Sequence, residues 1–96
     1  MLTIAKRTEG DILVLDLNGK IDGGPEARAI QDEVKEALGE GTGKVLINMQ
    51  GVPWINSLGV GILIAAFVSA KRSNAQLKMY GATSRVEAVL NTIGVI

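Results

Sequence analysis

The stretch Trp54–Gly61, with the sequence WINSLGVG, joins a β-like segment that ends near Met49 to an apolar helix-like segment. Ser57 lies in this stretch, just ahead of the apolar run from Leu58 to Ala70. A hydroxyl at the start of a helix can cap backbone N–H groups, and a phosphate there would place negative charge where the helix dipole favours it. Ser57 is therefore a candidate for a helix cap or for a phosphorylation switch, and Asn56 could serve as the cap equally well.

The segments on either side of this stretch predict a strand, a helix and a second strand. Their predicted ranges are Lys44–Met49, about Leu58 to Ser73, and Gln76–Tyr80, with a break at Gly51–Pro53. A strand, helix and strand in this order form a βαβ unit, whose two strands should be parallel. The helix is too short for a membrane span, which needs about 20 residues. Its nearly unbroken apolar sequence predicts a helix that is buried in the core.

A β-hairpin is predicted ahead of this unit. Its strands, Leu2–Arg7 and Asp11–Asn18, flank the turn-like Glu9-Gly10, and leucines alternate with other residues along the second strand. A surface helix follows from Gly24-Pro25 to about Gly39, because proline suits the first helical position. Its apolar residues at helical spacing are Ala27, Ile30, Val34 and Leu38.

The last element is predicted to be a helix that starts with a capping box. Ser84 and Glu87 have the required spacing, and the helix should end near Gly94. Its apolar residues are Val86, Val89, Leu90 and Ile93. The whole chain, residues 1–96, is thus predicted to be one α/β domain. It would combine an N-terminal β-hairpin with a mixed sheet of about four strands packed against about three helices.

Composition excludes several classes of function. The 96 residues are 47% hydrophobic and include neither cysteine nor histidine. Thiolate metal sites, disulfides and histidine general bases are therefore ruled out, and we expect no metal, no cofactor and no enzyme activity. Residues 1–40 carry nine acids and five bases, net −4, while residues 41–96 carry one acid and five bases, net +4. Neither of these two parts of the chain contains a long basic run, so nucleic-acid binding has little support.

Two motifs resemble known sites only weakly. Ser57 has no Gly-x-Ser-x-Gly elbow around it, which argues against a hydrolase nucleophile. Gly59-Val60-Gly61 resembles the opening of a dinucleotide fingerprint, but Ile64 stands at the third glycine position. We therefore expect these glycines to allow the helix start to approach a neighbouring backbone closely. On residue type alone, Asp22 is a turn, cap or functional residue, and Trp54 is either a core residue or an interface anchor.

Taken in order along the chain, these motifs resemble the STAS family, specifically the bacterial anti-sigma factor antagonists. The resemblance covers nearly the whole chain and rests on the opening hairpin, on Gly19–Asp22 before the first helix, and on Ile55–Gly61. The family's usual form of the last motif is Asp-Ser-Ser/Thr-Gly-Leu-Gly, which aligns its phosphorylated serine with Ser57. Here Asn56 replaces the aspartate and Leu58 replaces the second hydroxyl residue.

The resemblance implies a switch. An anti-sigma factor with serine kinase activity would bind the unphosphorylated protein and phosphorylate Ser57, which would end binding, and a serine phosphatase would reset the switch. The partner-binding surface would comprise Asp22, Trp54, Asn56, Ser57 and Leu58. Family members commonly continue beyond the position of Ile96, so the resemblance also implies that part of the docking surface is missing.

Two alternatives to this switch stay open. One keeps the fold but makes the protein a constitutive subunit of a transport complex or signalling scaffold, with Ser57 as a simple cap. The other is a small ligand-binding or enzymatic domain that uses the glycine-rich turns. The absence of an apolar N-terminal leader predicts a cytoplasmic protein without membrane insertion. Weak homodimerisation through an exposed strand edge is also left open.

Overall fold

The computed structural model describes residues 1–92, the last two through their backbone alone. It contains a four-stranded mixed sheet and three helices. Along the chain these elements are β1 (Thr3–Glu9), β2 (Ile12–Asn18), α1 (Pro25–Gly39), β3 (Lys44–Gly51), α2 (Ser57–Arg72), β4 (Gln76–Tyr80) and α3 (Ser84–Thr92). The predicted fold class is confirmed.

The sheet has the strand order β1-β2-β3-β4. β1 and β2 form the predicted antiparallel hairpin, which turns through Gly10 in the left-handed region at φ 63°. β3 pairs in parallel with both β2 and β4. The two strands on either side of α2 are therefore parallel, as the βαβ pattern predicts.

One face of the sheet packs against the helices in a single hydrophobic core. Alternate residues of the strands enter it, because successive side chains of a strand point to opposite faces. Leu15, Ile47 and Met49 from the strands are fully buried there together with Ile30 and Leu63 from the helices. The core is built almost entirely from aliphatic side chains, as the low aromatic content predicts.

The other face of the sheet, which we call the polar face, carries a network of polar side chains across all four strands. Asp16 on β2 accepts hydrogen bonds from Arg7 Nε on β1 at 2.7 Å and from Asn48 Nδ2 on β3 at 2.8 Å. Arg7 Nη2 also reaches the Tyr80 hydroxyl on β4 at 3.5 Å. The Arg7 hydrogen bond, followed by that of Asn48, lowers the pKa of the Asp16 carboxyl.

The surface helix α1 has its predicted amphipathic form. It begins with Pro25 and buries Ala27, Ile30 and Val34. Leu38 is only half-buried, and Ala37 takes the buried position beside it. On the charged side, Glu33 pairs with Lys6 of β1 at 2.9 Å, and this hydrogen bond raises the pKa of Lys6.

Two predictions about helices are wrong. Thr83, not Ser84, caps α3, because its Oγ1 accepts a hydrogen bond from the Val86 N–H at 3.3 Å while Ser84 is already helical. α2 is not buried all round either, since Leu58, Ile64, Phe67 and Val68 are exposed. The predicted helix end near Gly94 and the apolar Ile93 lie outside the described residues.

Candidate functional site

The first turn of α2 is held by Asn56. Its backbone is extended, with φ −110°, and its side-chain oxygen accepts a hydrogen bond from the Gly59 N–H at 2.9 Å. Asn56 is therefore the N-cap, which fills the structural role that the sequence left open between Asn56 and Ser57.

Ser57 is the first residue of α2 and is exposed to solvent. Within the described part of the chain, its hydroxyl has no hydrogen-bond partner. The first turn of α2 also contains no acidic residue. An accessible hydroxyl thus lies at the positive end of the dipole of a 16-residue helix, and the first turn of this helix has no negative side chain to offset that dipole.

The loop before α1 lies directly against this helix start. Ile21 forms an isolated parallel bridge with Ile55, its N–H donates to the Trp54 carbonyl at 3.1 Å, and its carbonyl accepts from the Asn56 N–H at 3.2 Å. Ile21 is itself fully buried. Main-chain hydrogen bonds thereby join the loop before α1 to the loop before α2, although the two are more than 30 residues apart in the sequence.

Gly59 is the residue that permits this contact. A Cβ built on Gly59 would lie 2.5 Å from the Ile21 carbonyl oxygen, which no real side chain tolerates. The expected close approach is confirmed for Gly59. It is wrong for Gly61, which is exposed and where an added Cβ would have no neighbouring atom within 4 Å.

The same contact weakens the idea of a phosphate-binding glycine turn. The Gly59 N–H already donates to Asn56, and the Ile21 carbonyl occupies the space beside Gly59. A nucleotide phosphate needs free backbone N–H groups and open space at such a turn. At Gly59 the N–H is already hydrogen-bonded and the space beside it is already filled.

The predicted site residues are brought together. Asp22 follows Ile21 and closes a turn, in which its Oδ1 accepts a hydrogen bond from the Gly24 N–H at 2.8 Å. Gly23 lies against Leu58, whose side chain is 66% exposed. We call the surface formed by Asp22, Trp54, Asn56, Ser57 and Leu58 the α2-start surface.

Two contributors to this surface could not be recognised from the sequence. Lys20 places its Nζ 5.9 Å from the centre of the half-buried Trp54 ring, within cation–π range. Ile21 links the two loops through its main chain, which no sequence motif specifies. The sequence signal for both was their position in Gly19–Asp22, one of the segments on which the family resemblance rests.

Comparison with known proteins identifies the family. The sequence model of the STAS domain family matches residues 3–96. The chain belongs to the STAS domain family. A search of curated protein sequences found no match.

Several solved structures share this STAS fold. TM1081 of Thermotoga maritima, a candidate anti-sigma factor antagonist, superimposes with a TM-score of 0.85 at 19% identity, covering 96% of this chain and 79% of its own. Unphosphorylated SpoIIAA, an anti-sigma factor antagonist of Bacillus, gives 0.81 at 16% identity, covering 97% and 82%.

A third neighbour comes from a different functional setting. A sulfate transporter family protein of Wolinella succinogenes gives a TM-score of 0.73 at 22% identity, covering 95% of this chain and 73% of its own. At these identities the three likenesses establish the fold. In the described residues, no helix combines the length and apolar character that crossing a membrane requires.

Proposed function

We propose that this STAS domain is an anti-sigma factor antagonist, a cytoplasmic bacterial protein-binding module without enzyme activity. It binds an anti-sigma factor with serine kinase activity while Ser57 is unphosphorylated, and it releases that partner once Ser57 carries phosphate. A serine phosphatase restores the binding form. The domain thereby regulates transcription that depends on a sigma factor.

The state of Ser57 is the observation that carries this proposal. A serine used only as a helix cap would be hydrogen-bonded to the first turn, but Asn56 does that here at 2.9 Å. The Ser57 hydroxyl is left exposed and without a partner in the described residues. This is what a kinase needs of its acceptor.

A phosphate on Ser57 would change the α2-start surface in two ways. It would add about −1.5 to −2 charges next to Leu58, the most exposed apolar side chain of this surface. Burying a dianion in such an interface is costly. The α2-start surface already carries the Asp22 carboxylate, so the phosphate would make it more strongly negative.

The replacement of the family's usual aspartate by Asn56 is compatible with this switch. The asparagine amide still caps the helix, and being neutral it leaves the first turn of α2 free of negative charge. The helix dipole is then available to stabilise a phosphate on Ser57.

The test measures binding to a kinase-type anti-sigma factor encoded near this gene, using the fluorescence of Trp54, the sole tryptophan. Ser57→Asp is expected to weaken binding by about 100-fold, equivalent to about 2.7 kcal/mol, because a charge enters the interface. Ser84→Asp is the matched control, since Ser84 is the exposed first residue of α3. Equal affinity of wild type and Ser57→Asp would contradict the proposal.

A second candidate is a constitutive STAS subunit of a transport complex or signalling scaffold. The structural neighbour in the sulfate transporter family favours it. In that case the same surface would bind a protein regardless of Ser57, and neither Ser57→Asp nor Ser57→Ala would change affinity. Transporter genes beside this one, in place of an anti-sigma factor gene, would support this candidate.

A further inference from the structure

α2 exposes an apolar row that the fold does not use. Leu58 is 66% exposed, Ile64 37%, and Phe67 and Val68 39% each. Ile64, Phe67 and Val68 are spaced by three and four residues, and Leu58 lies six residues before Ile64, so all four fall on the half of the helix that faces solvent, where polar residues are normal. We define the α2 stripe as the exposed positions Ser57, Leu58, Gly61, Ile64, Phe67, Val68, Lys71 and Arg72.

Gly61 makes a notch in this stripe. A glycine inside a helix is unfavourable, and here no neighbouring atom within 4 Å requires one. Gly59, two residues earlier, shows the contrast, since it is forced by the Ile21 carbonyl. The notch at Gly61 therefore leaves room for something outside this chain's described residues to approach the helix backbone.

The two ends of the stripe are electrostatically different. Lys71 and Arg72 lie in the last turn of α2, whereas its first turn has no acidic residue. Phosphate on Ser57 would supply the missing negative charge at the first turn. The phosphorylated stripe would then be negative at one end, apolar in the middle and positive at the other end.

We propose that the α2 stripe is the contact between two copies of this chain in an antiparallel pair, and that phosphate on Ser57 stabilises the pair. This inference rests on the proposed function, because Ser57 phosphorylation is its signal. Pairing would cover Leu58, so the phosphorylated protein would hide its docking surface in the dimer as well as altering its charge.

The spacing of the stripe fits such a pair. With a two-fold axis between Ile64 and Ala65, Gly61 of each copy faces Val68 of the other, so a branched side chain meets the notch. Ser57 faces Arg72 of the other copy by the same symmetry. A phosphate and a guanidinium form strong paired hydrogen bonds, and a two-fold contact makes them twice. The match of Gly61 with Val68 and of a phosphorylated Ser57 with Arg72 favours a second copy over an unrelated protein as the occupant, while Leu58 and Phe67 lie towards the margins of the contact.

The experiment installs phosphoserine at position 57 during synthesis and measures oligomeric state by sedimentation velocity over a concentration series. The phosphorylated protein is expected to dimerise with a Kd at least about tenfold below that of the unmodified protein, and added salt should weaken the dimer. Arg72→Glu in the phosphorylated protein should remove the gain. Arg85→Glu, the same substitution at an exposed position of α3, should leave it intact.

Gly61→Ala supplies a second variant that keeps the fold. It should fill the notch and weaken dimerisation of the phosphorylated protein by about tenfold, without a loss of thermal stability. A phosphorylated protein that stays monomeric, or a dimer that Arg72→Glu leaves unchanged, would overturn the inference.

The dimerisation measurement does not require a kinase, because the phosphate is installed during synthesis. A monomeric phosphoprotein that no longer binds the anti-sigma factor would overturn the dimer and leave the switch standing. A phosphorylated dimer, together with an unmodified Ser57 in native cells, would show that the stripe can pair but would overturn both the switch and the role of phosphate as its signal.

Discussion

The starts of α2 and α3 are built alike and differ in their surroundings. Each helix begins with an exposed serine, Ser57 or Ser84, and each is preceded by a side chain that caps it, Asn56 at 2.9 Å or Thr83 at 3.3 Å. Among the described residues, the start of α2, unlike that of α3, is hydrogen-bonded to a second loop through the main chain of Ile21. The contact with the neighbouring loop is therefore what distinguishes the start of α2 from the start of α3.

The largest effect on stability is expected where the two loops meet. Gly59→Ala would put a methyl group 2.5 Å from the Ile21 carbonyl oxygen, so the contact between the loops must open. We expect the free energy of unfolding to fall by about 1–3 kcal/mol, measured by urea denaturation.

Gly61→Ala is the control for this change, since nothing lies within 4 Å of the added methyl group. It should raise the free energy of unfolding by about 0.5–1 kcal/mol, because alanine is the better helix former. Equal effects of the two substitutions would show that the approach of Ile21 to Gly59 does not restrict this position.

The two caps should differ in strength. Asn56→Ala removes a hydrogen bond of good length and also weakens the loop that carries Trp54, so a loss of about 1–2 kcal/mol is expected. Thr83→Ala removes a longer bond and should cost less, about 0.5–1 kcal/mol. Thermal unfolding of the two variants provides the comparison, and a greater loss for Thr83→Ala would contradict it.

Negative charge at either helix start should stabilise the fold slightly. Ser57→Asp and Ser84→Asp each place a carboxylate at the positive end of a helix and are expected to add about 0.3–1 kcal/mol at low salt. Measured together with partner affinity, the pair separates folding from binding. Only Ser57→Asp should lose the partner. A loss of stability in that variant would contradict the expected effect of the helix dipole and would attribute its weaker binding to unfolding.

Acid is expected to weaken the polar face of the sheet. The hydrogen bonds from Arg7 and Asn48 lower the folded-state pKa of Asp16 below its unfolded value of about 3.9. Their stabilisation is therefore complete above that unfolded value and is lost as pH falls through the folded pKa. Urea denaturation from neutral to acid pH should show a smaller acid loss in Asp16→Asn than in wild type, and identical slopes would contradict this assignment.

The order and type of all seven elements could be predicted because their signals are local. Alternating leucines mark β2, and a proline marks the start of α1. The position of a cap was harder, since Thr83 and Ser84 are adjacent and either hydroxyl can accept the hydrogen bond. Which of them is helical depends on where the preceding loop directs the chain.

The exposed side of α2 could not be predicted either, because it also depends on the rest of the fold and not on local sequence. Its sequence is apolar on every side, so periodicity contains no information about which side the sheet and α1 cover. The contact between the Asp22 loop and the Ser57 loop depends on Ile21, a residue with no polar or glycine signature, and only the family resemblance indicated it. Long-range main-chain pairing of this kind leaves no trace in residue spacing.

Phosphopeptide mass spectrometry on protein from its native cells, with a phosphatase-treated control, tests the central claim most directly. The peptide between Lys44 and Lys71 contains Ser57, while Ser84 lies beyond it and serves as the internal comparison. We expect phosphate on Ser57 and none on Ser84. An unmodified Ser57 under all growth conditions would contradict the switch and favour the constitutive subunit.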